Sequence, residues 1–313
     1  MSERIAVYGA GTIGSCEITL ITGNSFPVTV IGFDDADLER CRGKLETNWD
    51  DLIALGLATP ENKEAAMKLV TLTADPEALR DCTFVFEEVL EDIKIKSSVF
   101  KIIEEHTGPD TIIASSTSSI DAEDLAATVT RPDRLIVAHP FQPVHLQPLV
   151  ELVCNAKTSD DTIDRAKDIL AKLQRVVVCM KKSVPGFLVN RFAQTLFRES
   201  IYLIEQGVTT AEDIDIAVKY AVGMHYAEIG LLEYFDAVGF ELEAAIAKNC
   251  YPDLCDTKEL QETVLEGLKT GKTGMVAGQG LFDWSNRSYD DYRRRLNAPF
   301  LDGVKKWHLP IGE

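Results

Sequence analysis

Ile5-Ala-Val-Tyr8, Gly9-Ala-Gly-Thr-Ile-Gly14 and Val28-Thr-Val-Ile-Gly-Phe33, closed by Asp34, are the segments on which the fold is read. A short apolar run stops at a glycine turn, a helix carries the chain to about Thr22, and a second apolar run follows. That order is a βαβ unit. Gly9 permits the tight turn, Gly11 lets backbone approach a pyrophosphate, and Gly14 lets helix and strand pack closely. Thr12 and Ile13 belong to the same cofactor-binding loop. Asp34, twenty residues beyond Gly14 and at the end of the second strand, is expected to accept hydrogen bonds from adenine-ribose hydroxyls. Its charge, with Asp35 beside it, repels a 2′-phosphate, so the cofactor expected is NAD and not NADP. Arg40 and Arg42 lie too far along the next helix to reverse that preference.

Outward from this unit, helices are expected at 36–57 and 60–67, and strands at 69–72, 84–87, 111–115, 135–138, 150–153 and 175–179. Strands alternating with helices imply an α/β class with a doubly wound, mainly parallel Rossmann-type sheet. After Ser183-Val-Pro-Gly186 the period changes to helical over 187–205, and Thr210-Ala-Glu-Asp213 opens another helix in a capping-box pattern. The expected division is an NAD-binding domain over 1–184 and an all-α substrate and dimerisation domain over 185–313.

The chain of 313 residues is 45% hydrophobic and 26% charged, the composition of a globular protein with a substantial core. Its formal net charge of -18 argues against nucleic acid or an anionic membrane as partner and for a small solute. Seven cysteines, Cys16, Cys41, Cys82, Cys154, Cys179, Cys250 and Cys255, are odd in number and lack metal-binding spacing, as in a reducing cytoplasm. The first strand begins too early to leave room for a signal peptide, and no apolar run approaches the ~18 residues of a membrane span.

The chemistry is expected in His139-Pro-Phe-Gln-Pro-Val-His-Leu-Gln-Pro-Leu-Val-Glu151. Proline punctuation forbids a regular helix, so the segment can fold back until the Glu151 carboxylate meets the His139 imidazole. A neutral imidazole takes protons near pH 7, and a neighbouring carboxylate fixes its tautomer and stabilises the imidazolium. His145 shares the segment, but the pair lacks the third and fourth ligands of a zinc site; a packing role or a substrate contact is expected, and no metal. Glu17, early in the first helix, has no explanation at this level.

Read with the hydroxyl row Ala114-Ser-Ser-Thr-Ser-Ser119, with Val184-Pro-Gly-Phe-Leu-Val-Asn-Arg191 and with Gly278-Gln-Gly-Leu-Phe-Asp-Trp284, the chain resembles the L-3-hydroxyacyl-CoA dehydrogenase family over nearly its whole length. The resemblance implies reversible NAD-dependent oxidation of a secondary alcohol, with Ser118 on the substrate hydroxyl, His139 as base, Glu151 orienting it and Asn190 assisting at the carbonyl oxygen. It also implies that Glu91 and Lys96 contact the nicotinamide side of the cofactor, and that the helical domain forms a homodimer.

Within the family, the motifs around His139 and Gly223-Met-His-Tyr-Ala-Glu-Ile-Gly230 are most similar to the carnitine dehydrogenase and L-gulonate 3-dehydrogenase (lambda-crystallin) branch. The helical segment 45–57 has no Lys or Arg where the fatty-acid branch carries lysines for CoA, although Lys44 and Lys63 flank it. A small, free 3-hydroxy compound is therefore expected. Gln142 in place of an Asn keeps an amide with a longer reach, and His225 in place of an Arg together with Glu228 in place of an aromatic residue suits a polar, neutral or cationic substrate. A short-chain 3-hydroxyacyl-CoA dehydrogenase, and a non-catalytic NAD-binding crystallin-like protein, remain the alternatives.

Overall fold

A computed structural model describes residues 3–227 and 229–306. Eight strands form one sheet in the order β3-β2-β1-β4-β5-β6-β7-β8: β1 (Ile5–Tyr8), β2 (Val28–Ile31), β3 (Val70–Thr73), β4 (Phe84–Glu87), β5 (Ile112–Ser115), β6 (Leu135–Pro140), β7 (Leu149–Val153) and β8 (Val176–Met180). Each of the eight strands falls on an apolar run that predicts it, although β2 stops at Ile31, short of the expected Phe33. Every pairing is parallel except β6 with β7, so the sheet is the expected doubly wound one with a single reversal. Its helices are α1 (Thr12–Gly23), α2 (Asp35–Ala54), α3 (Pro60–Met67), α4 (Ile93–His106), α5 (Ala122–Ala126) and α6 (Asp160–Lys172).

Apolar residues from both sheet faces make two buried clusters, one holding α1 and α6 and the other α4 and α5. Helix α1 is apolar nearly all round because it lies buried, and its hydroxyls are satisfied within the helix: Thr19 and Thr22 donate to the carbonyls of Ser15 and Ile18 at 2.8 Å. Helix α3 begins at a full capping box, Thr59 with Asn62, followed by Pro60.

The remaining helices are α7 (Val189–Glu205), α8 (Ala211–Ala217), α9 (Gly223–Tyr226), α10 (Leu231–Val238), α11 (Phe240–Cys250), α12 (Glu262–Thr270) and α13 (Tyr289–Lys306), with a π-helical turn at Val218–Val222 between α8 and α9. Helix α7 starts two residues later than its periodicity suggests. Gly186 and Phe187 both take positive φ, and Phe187 is buried in the sheet domain's core, so the helix cannot begin until they are passed.

The chain divides into two units, one running to Leu188 and resumed from Arg293, the other Val189–Tyr292. The last helix thus ends with the sheet unit instead of the helical one. Phe300 and Leu301 pack there on Trp49, Leu52 and Ala66 of the α2–α3 hairpin and on Leu146.

Candidate active site

The glycine loop leaves β1 at the carboxyl edge of the sheet. A Cβ on Gly9 would lie 2.5 Å from the Glu88 carbonyl oxygen, and one on Gly14 would lie 2.0 Å from the Gly9 carbonyl oxygen. Backbone cannot give way there, and Gly9 also has φ 122°, so both positions demand glycine. Around Gly11 there is nothing within 4 Å, which leaves the loop's outer face open. Gly11 is the N-cap of α1, no side chain caps that end, and the first turn carries no acidic residue. An uncapped, uncompensated helix N-terminus beside an open glycine fits a pyrophosphate. Thr12 is exposed at this end with its hydroxyl 3.4 Å from the Lys44 ammonium, and Ile13 anchors the turn on the core.

Ser118 sits in the turn after β5, exposed and held from below by Glu91. One Glu91 carboxylate oxygen accepts the Thr117 hydroxyl at 2.6 Å, the Ser118 and Ser119 amides at 3.0 and 2.9 Å, and the Ser119 hydroxyl at 2.9 Å. Partial burial pushes the Glu91 carboxyl up, but these donors and the nearby Lys96 ammonium outweigh it and hold it below the ordinary carboxylate range.

Lys96 is placed differently from the expectation of a cofactor contact. It is 0% exposed, and its ammonium bridges both oxygens of Glu87 at 2.8 and 2.9 Å, with Glu91 at 3.6 Å. Glu87 also accepts the Ser115 hydroxyl and the Val89 amide. This buried network ties the ends of β4 and β5 together beneath the Ser118 turn, so Lys96 positions and does not itself reach the surface. Glu87 went unread in the sequence, although an acid closing the apolar run Phe84-Val-Phe was the available signal.

The antiparallel pairing of β6 and β7 sets His139 directly opposite Glu151. Nδ1 of His139 lies 2.9 Å from one Glu151 oxygen, and the other accepts the Leu188 amide at 2.9 Å. Glu151 is fully buried, and the imidazole packs between Phe141 and Phe187, ring centroids 4.6 and 5.6 Å away. A carboxylate at Nδ1 selects the Nδ1–H tautomer and leaves Nε2 as the basic nitrogen. Strand β6 neighbours β5 in parallel, with Ser115 beside Val137, so His139 and the Ser118 turn emerge from adjacent strands at the same edge.

Gln142 is exposed next to a cis bond to Pro143, whereas His145 is buried between Val144 and Leu146. Asn190 lies in the first turn of α7. His225, on α9 directly after the π-helical turn, stacks on Tyr234 at 5.5 Å, and Glu228 lies outside the described residues.

Strand β2 ends at Ile31, two residues before the expected end at Phe33, which is 91% exposed. Asp34 consequently stands past the strand end as the N-cap of α2, its Oδ1 accepting the Asp37 amide at 2.7 Å. Glu17 is buried, faces Arg175, and shares its surroundings with Glu88. Burial raises the Glu17 carboxyl to about 7, opposed by the Arg175 charge, and burial, then Glu17, raises that of Glu88.

A dinucleotide cradle and a buried carboxylate-held imidazole at one sheet edge define an NAD-dependent dehydrogenase acting on a CH–OH group. The chain belongs to the 3-hydroxyacyl-CoA dehydrogenase family: the family's NAD binding domain matches residues 4–183 and its C-terminal domain residues 186–284. It is 32% identical to the 5-formyl-3-hydroxy-2-methylpyridine 4-carboxylate 5-dehydrogenase of Mesorhizobium japonicum, over 90% of this chain and 91% of that protein. To the L-carnitine dehydrogenase of Oceanobacillus iheyensis it is 32% identical over 86% and 90%. The crystal structure of a 5-formyl-3-hydroxy-2-methylpyridine 4-carboxylic acid 5-dehydrogenase, described as an NAD+-dependent dismutase, superimposes with a TM-score of 0.86 at 30% identity, covering 97% and 98% of the two chains.

Proposed function

We propose that the protein interconverts a small, free 3-hydroxy compound and its 3-keto form, with His139 as general base. The observation that carries the catalytic assignment is the buried His139–Glu151 pair at 2.9 Å. Nε2 takes the hydroxyl proton while Glu151 stabilises the imidazolium, and Phe141 and Phe187 keep the ring from turning away. Ser118 hydrogen-bonds the substrate oxygen from a turn that Glu91 holds rigid. Gly9, Gly11, Thr12, Ile13 and Gly14 hold the pyrophosphate, and bound NAD supplies the hydride acceptor. For Asn190, Gln142, His145, His225 and Glu228, the assignment as assisting or substrate residues rests on the motifs alone.

The preference for a free compound is supported by the charge of the α2–α3 hairpin. Lys63 is paired with Asp50 at 2.6 Å, Lys68 with Glu64 at 2.7 Å, Arg40 with Asp37 at 3.3 Å and Arg42 with Glu39 at 3.8 Å, so that Lys44, beside Thr12, is the main remaining cation there for a nucleotide phosphate. Two relatives are named for free compounds, L-carnitine and a formylpyridine carboxylate, and not for thioesters. A 3-hydroxybutyryl-CoA dehydrogenase of Clostridioides difficile, 29% identical over 90% of this chain, keeps the thioester as second reading.

Homodimerisation through the helical unit is part of the same proposal. Among its described residues only Ile201 is buried, and Phe192, Leu196 and Phe197 stand exposed on α7, more apolar surface than a monomer keeps. A reducing, cytoplasmic setting is consistent with seven cysteines present as thiols.

The test is NAD reduction across free 3-hydroxy acids, L-carnitine, pyridine carboxylates and 3-hydroxybutyryl-CoA, for wild type and His139→Asn. Turnover of free compounds, falling at least ~100-fold in the variant with NAD binding retained, is expected. Turnover confined to the thioester overturns the substrate class, and an active variant overturns the base.

A further inference from the structure

In a doubly wound sheet the acid that receives the adenine-ribose hydroxyls stands at the end of the second strand. In this chain that place is Gly32, whose amide still donates to the Thr73 carbonyl at 3.1 Å and which has no side chain to offer. Its side-chain space is already taken: a Cβ there would lie 2.4 Å from Leu38 Cδ2 and 2.8 Å from Leu38 Cγ. Asp34 is beyond the strand end and spends one oxygen on the Asp37 amide.

The carboxylate that reaches the vacated position comes from the first turn of α2. Asp37 Oδ2 lies 3.4 Å from where the Gly32 Cβ would be and accepts the Phe33 amide at 3.1 Å, while Oδ1 meets Arg40 at 3.3 Å. The Asp37 side chain keeps 21% of its surface exposed. An ionised carboxylate has about four acceptor sites, so two protein partners leave capacity for a diol.

We infer that Asp37, not Asp34, is the acceptor for the adenine-ribose hydroxyls and sets the choice of NAD over its 2′-phosphorylated form. The acid stands on the helix instead of at the strand end, and Leu38, one residue further along, fills the space beside Gly32. Arg40, which the sequence places too far along the helix to matter, meets Asp37 at 3.3 Å and is released toward a phosphate when Asp37 is lost.

The experiment is calorimetric titration of the cofactor-free protein with NAD, NADP and NAD carrying a 2′-deoxyadenosine. Wild type, Asp37→Asn and Asp34→Asn are compared, the last retaining a capping side chain. Expected are about tenfold weaker NAD binding in D37N, tighter NADP binding in the same variant, and a change within about twofold in D34N. Wild type should lose a similar factor on the deoxy analogue, and D37N should not distinguish the two. If D37N does not fold, Asp37→Ser, which keeps a polar side chain at the start of the helix, replaces it. NAD binding unchanged in the Asp37 variant, continued discrimination against the deoxy analogue, or the loss appearing in D34N overturns the assignment.

Discussion

Glu87 and Glu88 are neighbours in the chain, yet their carboxyls occupy opposite electrostatic surroundings. Glu87 turns toward Lys96, Ser115 and the Val89 amide, and both of its oxygens are hydrogen-bonded. Glu88 turns toward Glu17, and among the described residues neither Glu88 Oε2 nor Glu17 Oε1 has a hydrogen-bond partner. Both acids are buried at the end of the same strand. The difference teaches that burial alone does not decide the state of an acid: a buried carboxylate with a cation and donors is a strut, whereas two buried acids facing each other favour the protonated form. Arg175 relieves the second cluster only in part, because it also donates to the carbonyls of Val144, Gln147 and Leu173, and burial lowers its own pKa to about 10.

Removing one half of the strut tests this contrast most severely. Lys96→Met should cost about 3–5 kcal/mol in denaturant unfolding, because Glu87 is then buried without its cation, and pairing it with Glu87→Gln should restore much of the loss. If the single variant is as stable as wild type, the network is not holding β4 to β5.

The second test has the opposite sign. The folded Glu17 carboxyl titrates at about 7, above its ordinary 4.5, so the fold favours its protonated form. The corresponding stability is full below about 4.5 and is lost as the pH rises through about 7. Glu17→Gln should therefore stabilise the protein by up to about 3 kcal/mol at pH 8 while changing little at pH 4.5. Unfolding curves with the same offset at both pH values would contradict a protonated acid in that cluster.

The smallest effect is expected where an acid is only half-buried. Thr117→Val removes one of the donors that hold Glu91 ionised and should cost about 1 kcal/mol, with faster amide exchange at Ser118 and Ser119. Unchanged exchange would mean that the other Glu91 contacts suffice to fix the turn.

The strands were legible because parallel strands buried on both faces are plain apolar runs, and His139 was legible because prolines force its segment to reverse toward Glu151. The end of β2 misled for a related reason. Phe33 prolongs the apolar run although it is exposed, and Gly32 within that run was the sign that the ladder stops early. Position along the chain carried Asp34 to the wrong place, since only the turn of α2 shows which acid points back at the strand. The partners of Lys96 and Glu17 were hidden altogether. An ion pair closed across strands has no period, and Arg175 is far from Glu17 in sequence while close enough in the fold to act on its charge.

The return of Phe300 and Leu301 to the α2–α3 hairpin bears on how the chain is made. Synthesis delivers the sheet first, and domains generally fold as they emerge from the ribosome. The apolar cluster of Trp49, Leu52, Ala66 and Leu146, though, is completed only when Phe300 and Leu301 of α13 have been added. For the whole of the helical unit's translation the nascent sheet domain thus lacks part of one flank, which α13 then supplies.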